Sequence, residues 1–240
     1  MRALVVIPTY NEAGNISEVL RRVRTAAPDA EVLVVDDGSP DGTADLAEVV
    51  GREVGGVHVL RRAAKAGLGD SYSAGFGWAL DRDVPIVVEM DADLQHDPAV
   101  VPALLAAIDD GADLVIGSRY IEGGSIPDWR WHRRLLSRGG NRYAASVLSL
   151  GLRDATSGFR AYRRDLLRRI DLDAVYANGY GFQIEMAYLS VRGGATVVEI
   201  PIRFVARRVG ESKMSGTIVV EALLLVTWWA VRDRLFRRGR

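Results

Sequence analysis

Cysteine is absent from the 240-residue chain. That excludes disulfide staples, zinc–thiolate centres and thiol nucleophiles. Net charge is absent too: Lys+Arg and Asp+Glu balance at 31 each, so no global charge argues for a nucleic-acid partner. No apolar run reaches the roughly 20 residues a bilayer span requires. The longest late stretch, Leu223 to Val231, is short and closely flanked by charges. The N-terminus enters a strand almost at once without a signal-peptide pattern, so the chain is expected to stay in the cytoplasm. No internal repeat or low-complexity segment is visible.

What is present suits one large domain, or one domain with an appendage. Arginines cluster in the second half: Arg130, Arg133, Arg134, Arg138 and Arg142, then Arg160, Arg163, Arg164, Arg168 and Arg169. The C-terminus adds Arg232, Arg234, Arg237, Arg238 and Arg240. Such crowding fits phosphate or an anionic membrane face.

The first 120 residues alternate strand and helix patterns. Apolar runs at 3–8, 31–35, 57–60, 85–90 and 113–117 read as strands covered on both faces. Helical spacing follows at 16–23, 43–53, 70–81 and 98–109. Short connections between them predict a mostly parallel, doubly wound α/β sheet. Beyond Tyr120 the rhythm changes. A loop at 123–128 precedes a long helical stretch, 129–150. A loop and short strand at 154–162, a helix to about Arg192 and a strand at 196–200 follow.

The fourth run ends in Met90-Asp91-Ala92-Asp93-Leu94-Gln95-His96-Asp97-Pro98. Ligands of open α/β sheets gather at carboxyl ends of strands. Two carboxylates one residue apart there suit a hard cation, Mg²⁺ or Mn²⁺, bridging protein to phosphate. Gln95 adds a neutral oxygen. The competing reading is that Asp91 and Asp93 only cap helix 98–109, a task Asp97 also fits. Gly67-x-Gly69 follows the third strand and has Tyr72 where a third glycine would stand, so it does not read as a dinucleotide site. A flexible loop opening a helix explains it better than phosphate contact, and Lys65 is a weak candidate on the same ground.

Several segments together resemble the polyprenol-phosphate (dolichol-phosphate) mannose synthases, inverting family 2 glycosyltransferases of the GT-A fold. They are Pro8-Thr9-Tyr10-Asn11-Glu12, Val34 through Thr43, Met90 through His96, Gly117-Ser118-Arg119-Tyr120, Arg133 through Gly139, Ser157-Gly158-Phe159-Arg160, Gly181 through Met186, and Arg207-x-x-Gly210-Glu211-Ser212-Lys213. The N-terminal segments are common to many transferases; those after Arg119 are more specific.

The resemblance implies a GT-A domain over 1–216, with a nucleotide-sugar half (1–120) and an acceptor half (121–216); the residues at 217–240 read on their own as an amphipathic helix. It implies transfer of mannose from GDP-mannose to a polyprenyl phosphate with inversion. Pro8, Tyr10 and Glu12 would line the nucleotide pocket, with Val35 and Asp37 at base and ribose. Asp91, Ala92 and Asp93 would meet the sugar nucleotide, with Asp93, Gln95 and Asp91 holding Mg²⁺ or Mn²⁺. Arg119, Arg207 and Lys213 would surround the phosphates, and Arg133 with Ser137 would take the lipid phosphate.

Plainer readings stand beside these: a strand-end cap for Glu12, a turn at Asp36-Asp37-Gly38, and a solvated helix face for Arg133 and Ser137. The tail, with Trp228 and Trp229 at headgroup level, is expected to lie on a membrane surface, peripheral on its cytoplasmic side, or to dock as a core helix. An integral-membrane partner is a further expectation. Two other functions stay open: a polyprenyl-phosphate hexose synthase using a UDP-sugar, and a catalytically silent nucleotide-binding module recruited to a membrane.

Overall fold

A computed structural model of the chain describes residues 3–175, 177, 179–206 and 216–237. Seven strands form one sheet: β1 (Ala3–Thr9), β2 (Ala30–Asp36), β3 (Val57–Arg61), β4 (Ile86–Glu89), β5 (Leu114–Ser118), β6 (Arg160–Arg163) and β7 (Val197–Pro201). Their order across the sheet is β3-β2-β1-β4-β6-β5-β7. All neighbours run parallel except β6, which is antiparallel to both β4 and β5. The expected mostly parallel, doubly wound sheet is therefore present, with one reversed strand slotted into its middle.

The apolar runs divide by residue parity, as a pleated strand must. Leu4, Val6, Leu33, Val35 and Val87 enter one core layer; Val5, Ile7, Val32, Val34, Ile86 and Val88 enter the other. The second layer is closed by α1 (Ala13–Ala26), α2 (Thr43–Val54) and α4 (Val101–Asp109) through Ile16, Leu20, Ala47, Val50, Leu104 and Ile108. The first is closed by α3 (Leu68–Leu80), α5 (Trp131–Val147), α7 (Tyr180–Arg192) and α8 (Gly216–Arg237). A four-residue helix, α6 (Arg164–Leu167), follows β6. The helix expected at 98–109 starts as a 3₁₀ turn, Pro98–Val100, with Asp97 accepting from the Ala99 amide. That assigns the cap to Asp97.

The tail corrects two expectations. Trp229 does not face a headgroup layer; it is buried and stacks on Tyr188 at 5.7 Å, while the Tyr188 hydroxyl donates to Asp233 at 2.8 Å. Trp228 points outward at 56% exposure. Among the described side chains of α8, apolar residues fall on both faces rather than one: Val226, Trp229 and Ala230 are buried, while Leu224, Trp228 and Val231 are exposed. Among the described residues, no helix is long and apolar enough to cross a membrane.

Candidate active site

A cleft of about 410 Å³ opens over the carboxyl ends of β1, β2 and β4. Pro8, Tyr10, Glu12, Asp37, Asp91, Ala92, Asp93, Gln95, Arg119 and Arg133 line it, so most of the expected site residues do meet in one place. Val35 does not reach it. Its side chain is wholly buried in the first core layer, beneath α3. Arg207, Gly210, Glu211, Ser212 and Lys213 lie outside the described residues.

Turn chemistry fixes the β2 end of the cleft. Asp36 accepts from the Thr9 hydroxyl at 2.9 Å and from the Ser39 amide at 2.9 Å, which makes it the turn-former of its pair. Asp37 faces the cleft, accepting from Ser71 Oγ at 2.8 Å and pairing with Arg62 at 3.0 Å. The Lys65 ammonium sits 4.6 Å from the Tyr10 ring centroid. The loop opens α3 with Gly67 at its N-cap, as expected, and Lys65, Gly67 and Leu68 also line the cleft. Its signal was the Lys65-x-Gly67-x-Gly69 spacing at a strand's carboxyl end.

The carboxylate pair follows β4. The Tyr72 hydroxyl donates to Asp91 Oδ1 at 3.0 Å. The Asp91 amide donates to His96 Nδ1 at 3.3 Å. Burial pushes His96 down to about 4, so it is neutral and its Nδ1 accepts. Asp93 is buried, and its Oδ1 takes the Gln95 amide at 3.1 Å. Leu94 between them adopts a positive φ of 60°, an unfavourable backbone for a leucine that functional loops commonly hold. Gln95 Nε2 donates to the Val205 carbonyl at 2.9 Å, which leaves its side-chain oxygen as an acceptor. Two carboxylates and an amide oxygen are hard donors, too few to cage an ion alone but suited to one shared with a diphosphate. Among the described residues, no group of three or more His, Cys, Asp or Glu side chains converges on one point.

The cations across the cleft are of two kinds. Arg119 is buried and bidentate on Asp154, with Nε and Nη2 both at 2.7 Å. Burial alone would raise the Asp154 carboxyl; the Arg119 guanidinium and its hydrogen bonds more than reverse this and hold it low. Arg119 therefore lines the cleft with most of its charge already balanced. Arg133 stacks on Trp129 at 3.9 Å and has no carboxylate partner among the described residues. Ser137, one turn further along α5, accepts from the Tyr120 hydroxyl at 2.6 Å and does not line the cleft.

Trp129, Thr156, Gly158, Gln183 and Phe204 also line the cleft, and no sequence signal marks them as site residues. Gly158 and Gln183 fall within segments that carry the family resemblance, which marks their position but not their role. Beneath them lie two buried ionisable side chains in the sheet. Glu89 and Arg160 are cross-strand partners, both fully buried. Arg160 is satisfied by the carbonyls of Ser157, Ala155 and Gln183. Burial raises Glu89 to about 8, with Arg160 pulling the other way.

An open α/β sheet with paired acids at a strand's carboxyl end, facing cations across a cleft, defines a sugar-nucleotide type of transferase site. The chain belongs to glycosyl transferase family 2, whose model matches residues 4–171, and it is a glycosyltransferase. It is 49% identical, over 98% of its length and 89% of the relative's, to polyprenol monophosphomannose synthase of Mycolicibacterium smegmatis. It is 51% identical, over 98% and 96%, to undecaprenyl-phosphate mannosyltransferase of Micrococcus luteus. The fold matches glucosyl-3-phosphoglycerate synthase of Mycobacterium tuberculosis, crystallised with Mn²⁺ and UDP-glucose, at a TM-score of 0.71 and 23% identity, covering 94% of this chain and 78% of that one. The expectation of a silent binding module is set aside by this membership.

Proposed function

We propose that the protein transfers mannose from GDP-mannose to a polyprenyl phosphate, forming a β-linked mannosyl phosphate with inversion. One observation carries this reading: the Asp91–Asp93 pair and Arg133, a cation with no described carboxylate partner, face one another across a single cleft. The two mannosyltransferase relatives, matched over nearly the whole chain, support it.

On this reading the diphosphate lies at Asp93 and Gln95, the base extends toward Asp37 and Tyr10, and the hexose sits near Asp91. Mg²⁺ or Mn²⁺ held by Asp93, Gln95 and Asp91 would supply charge neutralisation for the departing diphosphate. Arg133 receives the acceptor phosphate. That phosphate monoester has a second pKa of about 6, so at neutral pH it is already largely an oxyanion. No side chain has to remove a proton, and the protein's work is positioning and charge placement. Arg207 and Lys213 belong to the phosphate set by resemblance.

The acceptor's hydrocarbon must leave the cleft beside Arg133, along α5. There Trp131, Leu135 and Leu136 are 75%, 64% and 58% exposed, with Arg134 and Arg138 among them. We place this face, with Leu224, Trp228 and Val231 of α8, against the cytoplasmic surface of the membrane, where an integral-membrane partner would add to the lipid contact.

The test is radiolabel transfer from GDP-mannose into organic-extractable lipid, with Mg²⁺ or Mn²⁺ and again with chelator. Label should move only with the cation present. Folded protein that transfers nothing in the presence of polyprenyl phosphate refutes the assignment. Calorimetric titration of GDP against UDP separates it from a UDP-hexose enzyme.

A further inference from the structure

Gln183 is a buried polar group of the cleft that this reaction leaves unused. It stands in the first turn of α7, 3% exposed, and lines the cleft. Its peptide is pinned, because the wholly buried Arg160 donates to its carbonyl at 2.8 Å. Its carboxamide is only partly held: it faces the buried Glu89 carboxyl, yet neither Nε2 nor Oε1 makes a hydrogen bond of normal geometry, and an amide's two donors and two lone pairs exceed what one carboxyl can take. A buried amide left in that state costs about 1–3 kcal/mol, and native structures keep such groups where something else completes them.

The position says what completes it. A Cβ placed on Gly158 would come 3.3 Å from Gln183 Nε2 and 3.8 Å from Asp91 Oδ2. Gly158 thus lets a neutral amide and the first carboxylate of the acidic pair come close together on the cleft wall. An anion would be repelled there by Asp91. A polyol suits both walls, since a hydroxyl donates to the carboxylate and can both donate to and accept from an amide.

We infer that the Gln183 carboxamide contacts a hydroxyl of the donor hexose and sets which hexose is transferred. The inference rests on the sugar-nucleotide reading and adds to it the residue that tells one sugar from its epimer. A site built to hydrogen-bond a hydroxyl discriminates strongly against a sugar that presents it wrongly, because the buried amide is then left unpaired.

The test is Gln183→Met, which keeps volume and removes both polar atoms, beside Gln183→Asn, which keeps the amide one methylene short. Calorimetry with GDP and kcat/KM with GDP-mannose and GDP-glucose are measured for each. GDP affinity should stay within about twofold, while the mannose-to-glucose preference falls by about tenfold or more in Gln183→Met and by less in Gln183→Asn. An unchanged preference in folded Gln183→Met overturns the inference alone and leaves the amide serving only Glu89. Should Gln183→Met not fold, an unchanged preference in Gln183→Asn overturns it equally. Absence of transfer from any sugar nucleotide by the wild-type protein would instead sink the function itself, and this inference with it.

Discussion

The two sides of the cleft handle charge in opposite ways. On the side built by β1, β2 and β4, each acid is held by a hydrogen-bond donor from its own chain: Asp36 by Thr9 and Ser39, Asp37 by Ser71 and Arg62, Asp91 by Tyr72. On the α5 side, two arginines rest on rings. Arg133 lies over Trp129 and Arg138 over Tyr120, at 3.9 and 5.5 Å. An aromatic face orients a guanidinium without cancelling its charge, whereas a carboxylate does both. On the proposed function, the first side is the donor side, pre-set for neutral and metal-bridged contacts, and the second is the acceptor side. The acceptor side keeps a positive field for an incoming anion. Arg119 is the exception, an arginine of that side locked to Asp154.

The largest effect should come from breaking that exception. Asp154→Asn strands a buried guanidinium, and removing one partner of a buried pair costs about 3–5 kcal/mol. Urea unfolding at neutral pH measures it. Because the Asp154 carboxyl is held below its ordinary value in the folded state, its contribution is present above about pH 3.9 and fades as pH falls below that. The variant's unfolding curve should lack that acid-side loss. Equal stability of the two proteins would mean that Arg119 is not tied down, and the contrast between the two kinds of arginine would dissolve.

Next is Asp93→Asn, which removes a charge from the proposed cation position while keeping size. Transfer should fall by about 10²–10³-fold, and the response of nucleotide affinity to Mn²⁺ in calorimetry should flatten. Retained Mn²⁺ dependence would move the cation away from Asp93. Third is Arg133→Ala, expected to weaken the acceptor's contribution by about tenfold, as loss of a charge-assisted contact does. It should show in KM for the polyprenyl phosphate while GDP affinity stays put. Trp129→Leu should give a smaller loss of the same kind, since it removes the platform and leaves the charge. If both variants lower GDP affinity instead, Arg133 serves the donor.

Much of the donor side was legible because its signals are local. Five apolar runs, a carboxylate pair one residue after a strand, and Pro98 behind Asp97 are all readable within a few residues. What escaped depends on partners far apart in the chain. Asp154 meets Arg119 from 35 residues away, with its own amide fixed by Glu199 on β7. Strand β6 reads Arg-Ala-Tyr-Arg, which no apolar pattern would place between β4 and β5. It is buried there because Arg160 finds three carbonyls and a facing glutamate. Val35 was assigned to the base by resemblance, yet strand parity sends its side chain under α3. Trp228 and Trp229 are indistinguishable by composition, and only packing against Tyr188 tells which one is core.

The smallest effect concerns the outer face of the acceptor side. Trp131, Leu135 and Leu136 on α5 and Leu224, Trp228 and Val231 on α8 are all more than 45% exposed, although burying each would gain about 1.5–3 kcal/mol. Exposed apolar side chains on two helices that touch, with Tyr143 hydrogen-bonded to Thr227 at 2.7 Å between them, are costly to leave in water. Replacing Trp131 and Trp228 together by serine should leave folding intact, because neither is core, and should leave GDP affinity unchanged. Flotation with anionic liposomes should drop several-fold, and the loss should exceed that caused by raising salt, since ring insertion is not screened. Equal flotation of variant and wild type would restrict membrane attraction to the arginines, and the acceptor side would then be a charged surface with an incidental apolar face.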